Sequence, residues 1–190
     1  MSRLESLEGV YAMYKGKRVF DGVVPWPSVY HFRLLAFTRH WRTDENRRTL
    51  IEALANLARF SPIPQANVLD KRQLLSPGAF AMHDFDCDMG NLSQQGWMTW
   101  FHRTELIARL GIAGDVPWIE QQIGWLRRYL DANDGFFVKR MSHYYFTKWT
   151  AYIGLALEDD WGERESRVND LTFRSLLIIN LANGLVVCEV

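Results

Sequence analysis

Bulky rings fall three and four residues apart in one segment after another, and this spacing constrains the fold more than any other feature of the chain. From Ser28, a possible N-cap, the apolar positions run Tyr30, Leu34, Phe37 and Trp41. Another segment carries Trp97, Trp100, Phe101, Thr104 and Ile107 on one face, and a third carries Tyr145, Trp149, Tyr152, Ile153 and Ala156. Residues three or four apart share one side of an α-helix, so each segment is expected to be helical. The supply of rings is large: 8 Trp, 7 Tyr and 11 Phe make up 14% of the chain.

Between these segments lie helices with plain aliphatic stripes. Asp44 is expected to cap one that carries Leu50, Leu54, Leu57 and Ala58 and is stopped by Ser61-Pro62-Ile63-Pro64. Asp115 is expected to cap another, with Pro117 in its first turn and a stripe of Ile119, Ile123, Leu126 and Leu130, ended by Asn133-Asp134-Gly135. A third spans about Glu165 to Leu181 with Val168, Leu171, Ser175 and Ile178 aligned, before Gly184. The ring-bearing helices are expected near 28–41, Gln94–Leu110 (with Gly111 at its C-terminal cap) and from Ser142 onward. Six helices with short connections read as three αα-hairpins, with ring-rich and aliphatic members alternating.

Two stretches lack this rhythm. Residues 1–26 form a separate irregular segment, in which Lys15-Gly16-Lys17 can turn a small hairpin with Val19-Phe20 in one strand, before Pro25-Trp26-Pro27 breaks the chain. Residues 61–92 show no clear period and hold the cluster His83-Asp84-Phe85-Asp86-Cys87-Asp88. A long irregular segment inside a compact domain is more often functional than idle. The helical domain is placed at 27–190.

Charge and composition exclude several classes. Lys plus Arg and Asp plus Glu both number 22, so no bulk positive field attracts a nucleic-acid backbone. Two cysteines, Cys87 and Cys188, make no disulfide framework, which points to a reducing, cytoplasmic setting. The first residues carry charges where a secretory signal needs an apolar stretch, and the longest apolar run, Val10 to Tyr14, is too short to span a bilayer. No phosphate-binding loop, dinucleotide-binding glycine motif or nucleophile elbow is present.

A repeat is visible. Ser76-Pro77-Gly78-Ala79-Phe80 precedes the acidic cluster and the helix ending Ala108-Arg109-Leu110-Gly111, while Asn133-Asp134-Gly135-Phe136-Phe137 precedes the helix ending Gly154-Leu155-Ala156-Leu157. Each is a glycine-aromatic loop followed by a ring-rich helix, and stacked units of this kind bury one another's faces.

With Trp125-Leu126 and Asp134-Gly135-Phe136 as the best match, the pattern resembles the helical repeats of the squalene–hopene cyclase and protein prenyltransferase superfamily, over roughly residues 27–182. The segments 27–35 and 167–177 resemble helix starts in cyclase-like members. The resemblance implies an all-α, α/α toroid-like architecture, with inner helices around an aromatic cavity that binds or transforms an apolar, isoprenoid-type ligand. The chain supplies about half of such a ring, which implies an open half-ring, a homodimer or a missing N-terminal half-domain. It also departs from the superfamily's chemistry. Asp86-Cys87-Asp88 is followed by Met89, so the protonating Asp-x-Asp-Asp is not intact, and neither the magnesium motif of ionising terpene synthases nor the Asp-x-Cys zinc pair of prenyltransferases is present.

Three constellations carry candidate chemistry. If the acidic loop is extended, Asp84, Asp86 and Asp88 share a face beside His83. Converging carboxylates suit a hard divalent cation, or raise one carboxyl's pKa and make it a proton donor. The spacing is not that of an EF-hand, since Gly90 comes one place late and Gln95 stands at the twelfth position. The plainer reading is a solvated turn whose aspartates cap the next helix near Asn91 and Ser93. Trp97, Trp100, Phe101, Trp149 and Tyr152, with Tyr145, are candidate ligand-binding rings, whose faces stabilise cations or stack on sugars; the plainer reading is hydrophobic core. His143 and Tyr145, at the start of the fifth helix, are candidates for acid–base work, with surface polar residues as the alternative. The same residues also fit a carbohydrate-active toroid, a lyase or hydrolase acting on a glycan. A non-catalytic module that docks on another chain is the third reading.

Overall fold

The structure, a computed structural model, describes residues 11–21, 29–58, 67–75, 88–141, 146 and 157–184. It is mostly helical, and the strands among the described residues lie in 11–21 and 67–75. The chain divides into two compact units, residues 1–86 and 87–190, so the helical stretch expected from residue 27 onward is shared between both.

The first unit holds a four-stranded sheet. Strands β1 (Tyr11–Tyr14) and β2 (Lys17–Asp21) form the expected hairpin, with Tyr11 opposite Phe20 and Tyr14 opposite Lys17. Its two turn residues, Lys15 and Gly16, have φ of 50° and 74°, the positive values that a tight twist-matched hairpin turn requires. Strand β2 pairs in parallel with β3 (Asn67–Asp70), Val19 opposite Asn67, and β3 pairs antiparallel with β4 (Gln73–Leu75). This second hairpin lies in the stretch that showed no period. Its turn residues are Lys71 and Arg72, at φ of 46° and 77°. Neither is a customary turn former, and this hid the hairpin from sequence reasoning.

Helix α1 (Val29–Ala36) is shorter than the run to Trp41 that the spacing suggested, and it is turned the other way round. Phe32 and Ala36 are buried, while Tyr30, Leu34 and Phe37 are 59%, 64% and 66% exposed. The helix is apolar on two sides, so periodicity alone could not say which side faces inward. Helix α2 (Asp44–Ala58) buries Leu50 and Leu54 as expected. Its N-cap is Thr43, whose hydroxyl accepts the Asn46 N–H at 3.2 Å, and Asp44 is its first helical residue. There Asp44 and Glu45 complement the positive end of the helix dipole.

The second unit is built around helix α3 (Gln94–Arg109). Ser93 caps it by accepting the Gly96 N–H at 3.0 Å. Ten of its residues, from Trp97 to Ala108, are buried, so α3 is enclosed on nearly every side. Gly111, at φ 72°, turns the chain out of the helix, and a short 3-10 turn at Ala113–Asp115 follows. Helix α4 (Pro117–Asp131) starts on Val116 without a side-chain cap, so the capping role expected of Asp115 is not made, and Pro117 serves in the first turn. Its expected stripe, Ile119, Ile123, Leu126 and Leu130, is buried. Helix α5 (Arg164–Ala182) packs on α3 and on α4 and buries Leu171, Ser175 and Ile178. The ring-rich helix expected from Ser142 lies outside the described residues, except for Phe146, which is helical and buried.

Candidate functional site

Helix α3 presents its rings to rings from the following segments. Trp97 meets Trp100 edge-on at 5.5 Å and Phe137 edge-on at 5.2 Å, and Phe101 meets Phe137 edge-on at 5.3 Å. Trp125 lies 5.6 Å from Trp97 and stacks on Tyr129 at 5.1 Å and 15°. These separations and tilts are those favoured by ring quadrupoles. The cluster continues through Phe146, 6.4 Å from Phe101 and stacked on Trp161 at 4.8 Å. Burial pushes the Tyr129 phenol above its ordinary range, against a smaller opposing hydrogen bond from the Lys139 backbone. The turn that delivers Phe137 depends on Asp134 and Gly135, at φ of 54° and 85°, and on a bond from the Phe137 N–H to the Thr172 hydroxyl at 2.9 Å.

Polar side chains thread this core. The Trp100 indole donates to Gln122 Oε1 at 2.8 Å, and Arg103 Nη2 reaches the same oxygen at 3.4 Å. Glu105 holds two cations: Oε1 accepts from Arg109 Nε at 3.0 Å and Oε2 from Arg174 Nη1 at 2.7 Å. Burial draws the Arg174 guanidinium below the usual arginine range, and the negative charges of Glu105 and Asp170 oppose that shift. Asp170, buried on α5, accepts the Leu157 N–H at 2.8 Å, the Glu158 N–H at 3.1 Å and the Trp161 indole N–H, all at Oδ2. That carboxylate fastens the 157–161 loop to the helix. The Trp97 indole nitrogen and the Thr104 hydroxyl are buried without a hydrogen-bond partner among the described residues.

An open apolar groove runs along the outer side of α5. It has a volume of about 420 Å³ and is lined by Phe173, Leu176, Leu177, Ile179, Asn180 and Asn183. Phe173 and Leu176 are half-exposed. One end is polar: Asn183 Oδ1 accepts from Arg127 Nη2 at 2.7 Å, and Arg127 also pairs with Glu120 at 3.0 Å.

Of the residues singled out in the sequence, the structure brings Trp97, Trp100 and Phe101 together on α3, each no more than 1% exposed and each packed against other rings. Asp88 is exposed and shapes a turn, accepting the Gly90 N–H at 2.9 Å and the Asn91 side-chain amide at 2.6 Å. The Asn91 amide, then the Gly90 N–H, hold its carboxyl below the usual carboxylate range. His83, Asp84, Asp86, His143, Tyr145, Trp149 and Tyr152 lie outside the described residues. Among the described residues no group of three or more His, Cys, Asp or Glu side chains is placed to hold a metal ion. No helix among them is long and apolar enough to cross a membrane.

Sequence reasoning missed the groove on α5, because it followed the stripe Val168, Leu171, Ser175 and Ile178 and passed over Phe173, Leu176 and Asn180 beside it. It also missed Asp170 and the Glu105–Arg174 pair, whose partners are distant in sequence or belong to the backbone. No family model, no curated protein and no solved structure matches the chain significantly.

Proposed function

We propose that residues 87–190 form a helical binding module for a slender amphiphile, an isoprenoid-type chain carrying a hydrogen-bonding head, held along α5. The observation that carries this reading is the groove: about 420 Å³, apolar over Phe173, Leu176, Leu177 and Ile179, and polar at one end through Asn180 and Asn183. That volume lies within the range of small-molecule sites. The apolar stretch would remove the chain from water, and the amides beside Arg127 would receive the head. The resemblance of residues 27–182 to cyclase and prenyltransferase repeats points to the same ligand class. It also favours a toroid-like stacking of helical hairpins as the frame, in a cytoplasmic setting. The proposal is for binding, on a helix that packs against α3 and α4.

Titration with a dansyl-labelled prenol tests it. Saturable fluorescence enhancement is expected, weakened about tenfold by Leu176→Glu, which sets a charge against the chain. Absence of saturable binding, or an unchanged affinity in that variant, overturns it. A second reading rests on the half-exposure of Phe173 and Leu176: an open strip of this kind also fits the apolar face of a partner helix. Light scattering in which Leu176→Glu dissociates an oligomer, without prenol binding, would select that reading.

A further inference from the structure

Glu120 and Arg127 of α4 stand at the polar end of the groove on α5, and their pairing bears on which head the groove accepts. The inference rests on the groove holding an amphiphile, as proposed above. Both terminal nitrogens of Arg127 are engaged: Nη2 donates to Asn183 Oδ1 at 2.7 Å and Nη1 to Glu120 Oε1 at 3.0 Å. The guanidinium charge is therefore balanced before any ligand arrives. An anionic head drawn to Arg127 would also lie beside the Glu120 carboxylate, and the attraction and the repulsion nearly cancel.

The end of α5 adds a second unfavourable field. Asn183 is the C-cap residue, with its N–H bonded to the Ile179 carbonyl at 3.0 Å, and the last turn of the helix holds no basic residue. A helix C-terminus carries roughly half a negative charge. An anion placed there is destabilised, the reverse of its fate at a helix N-terminus.

Hydrogen bonds remain on offer. A guanidinium can only donate, so its contact with Asn183 fixes which end of that amide is the oxygen and leaves Nδ2 with hydrogens to give. Asn180 stands three residues earlier on the same side of the helix and also lines the groove. Its amide can turn either its oxygen or its nitrogen toward a ligand.

We infer that the groove selects amphiphiles whose head is uncharged and accepts a hydrogen bond, such as a ketone, an ester or an alcohol, and that Glu120 is the specificity residue that keeps anionic heads out. A neutral oxygen takes the Asn183 amide hydrogens without opposing either Glu120 or the end of the helix. Glu120 acts through Arg127, by holding its charge.

Displacement of the dansyl-labelled prenol from the full chain tests this, with a methyl ketone, an alcohol and a carboxylate built on one isoprenoid skeleton. The ketone and the alcohol are expected to displace the probe, and the carboxylate to do so about tenfold more weakly. Glu120→Gln keeps the size and an acceptor oxygen but leaves the Arg127 charge unbalanced. The ratio of carboxylate to ketone affinity should then rise about fivefold, the size expected of a pair whose side chains are 34% and 46% exposed. Molar salt should remove that rise. Asn183→Asp exchanges the donor for an acceptor. The ketone, which only accepts, should lose about fivefold relative to the alcohol, which can turn its hydrogen toward the new carboxylate. Each readout is a ratio between ligands, so a general loss of fold, which weakens all three alike, cannot produce the expected changes. A carboxylate that binds as tightly as the ketone, or a ratio unmoved by either substitution, overturns the inference and leaves the groove as an amphiphile site. Absence of displacement by all three overturns that reading and the inference with it.

Discussion

Arg174 of α5 and Glu105 of α3 meet at 2.7 Å, with only 7% and 13% of their side chains exposed, and tie two helices 69 residues apart in sequence. Glu105 also holds Arg109 at 2.9 Å, so one carboxylate serves two guanidiniums. Removing one member of a buried pair leaves the other charged and desolvated. Glu105→Gln is therefore expected to cost about 3 kcal/mol in urea unfolding, whereas Glu105→Leu/Arg174→Met should cost less than the single change. A double substitution at least as damaging as Glu105→Gln would refute this account.

Asp170→Asn should release the 157–161 loop. The asparagine presents an amide N–H or a neutral oxygen to three donors that now share one carboxylate oxygen. Hydrogen bonds to a charged acceptor contribute about 1.5–3 kcal/mol each, with incomplete additivity. A loss of about 3 kcal/mol is expected, with faster amide exchange at Leu157 and Glu158. Exchange rates there equal to the parent's would contradict the anchoring role.

Thr104→Val replaces a buried hydroxyl that has no hydrogen-bond partner among the described residues by a methyl of similar size. Burying such a hydroxyl costs on the order of 1–3 kcal/mol, so the variant should be about 1 kcal/mol more stable. A fall in the denaturation midpoint would show that the hydroxyl is satisfied.

Arg72→Gly relieves a non-glycine residue held at φ 77° in the β3–β4 turn. Left-handed backbone costs an L-residue about 1–2 kcal/mol, partly offset by the extra freedom glycine loses on folding. A gain of about 0.5–1 kcal/mol in thermal unfolding is expected, and a loss would mean that the arginine side chain makes a compensating contact.

Tyr129 links stability to alkaline pH. Its folded pKa lies above its unfolded value because burial disfavours the phenolate. The contribution is therefore fully present below the unfolded pKa, about 10, and is lost as pH rises through the folded pKa. Stability measured by urea titration should fall across that alkaline window. In Tyr129→Phe the fall should be smaller, and an identical pH profile would dismiss the linkage.

How far the sequence reveals the fold depends on whether a helix has one apolar side or two. The stripes of α2 and α4 have polar backs, so Leu50, Leu54, Ile119, Ile123, Leu126 and Leu130 could be assigned to the interior in advance. Helix α1 has apolar residues on both sides, and there the spacing picked Tyr30, Leu34 and Phe37, the three that face water. Caps were misplaced: at α3 the cap is Ser93 and not the aspartates that precede it, and at α2 Thr43 displaces Asp44, since Ser, Thr and Asp are equivalent candidates. The β3–β4 hairpin escaped because Lys71-Arg72 carries no turn chemistry. At the candidate site, the rings of α3 were legible from their spacing. Asp170 was not, because its partners are two backbone amides and an indole that only the folded loop assembles.

The enclosure of α3 also has a cost in time. A helix whose ten buried residues include Trp97, Trp100 and Phe101 has almost no surface to leave in water, yet α5, which packs on it, follows α3 in the chain. At about 5–20 residues per second, α3 leaves the ribosome seconds before that cover arrives. During that interval Glu105 has no Arg174 to hold, and the side of α3 on which α5 packs stands open to water.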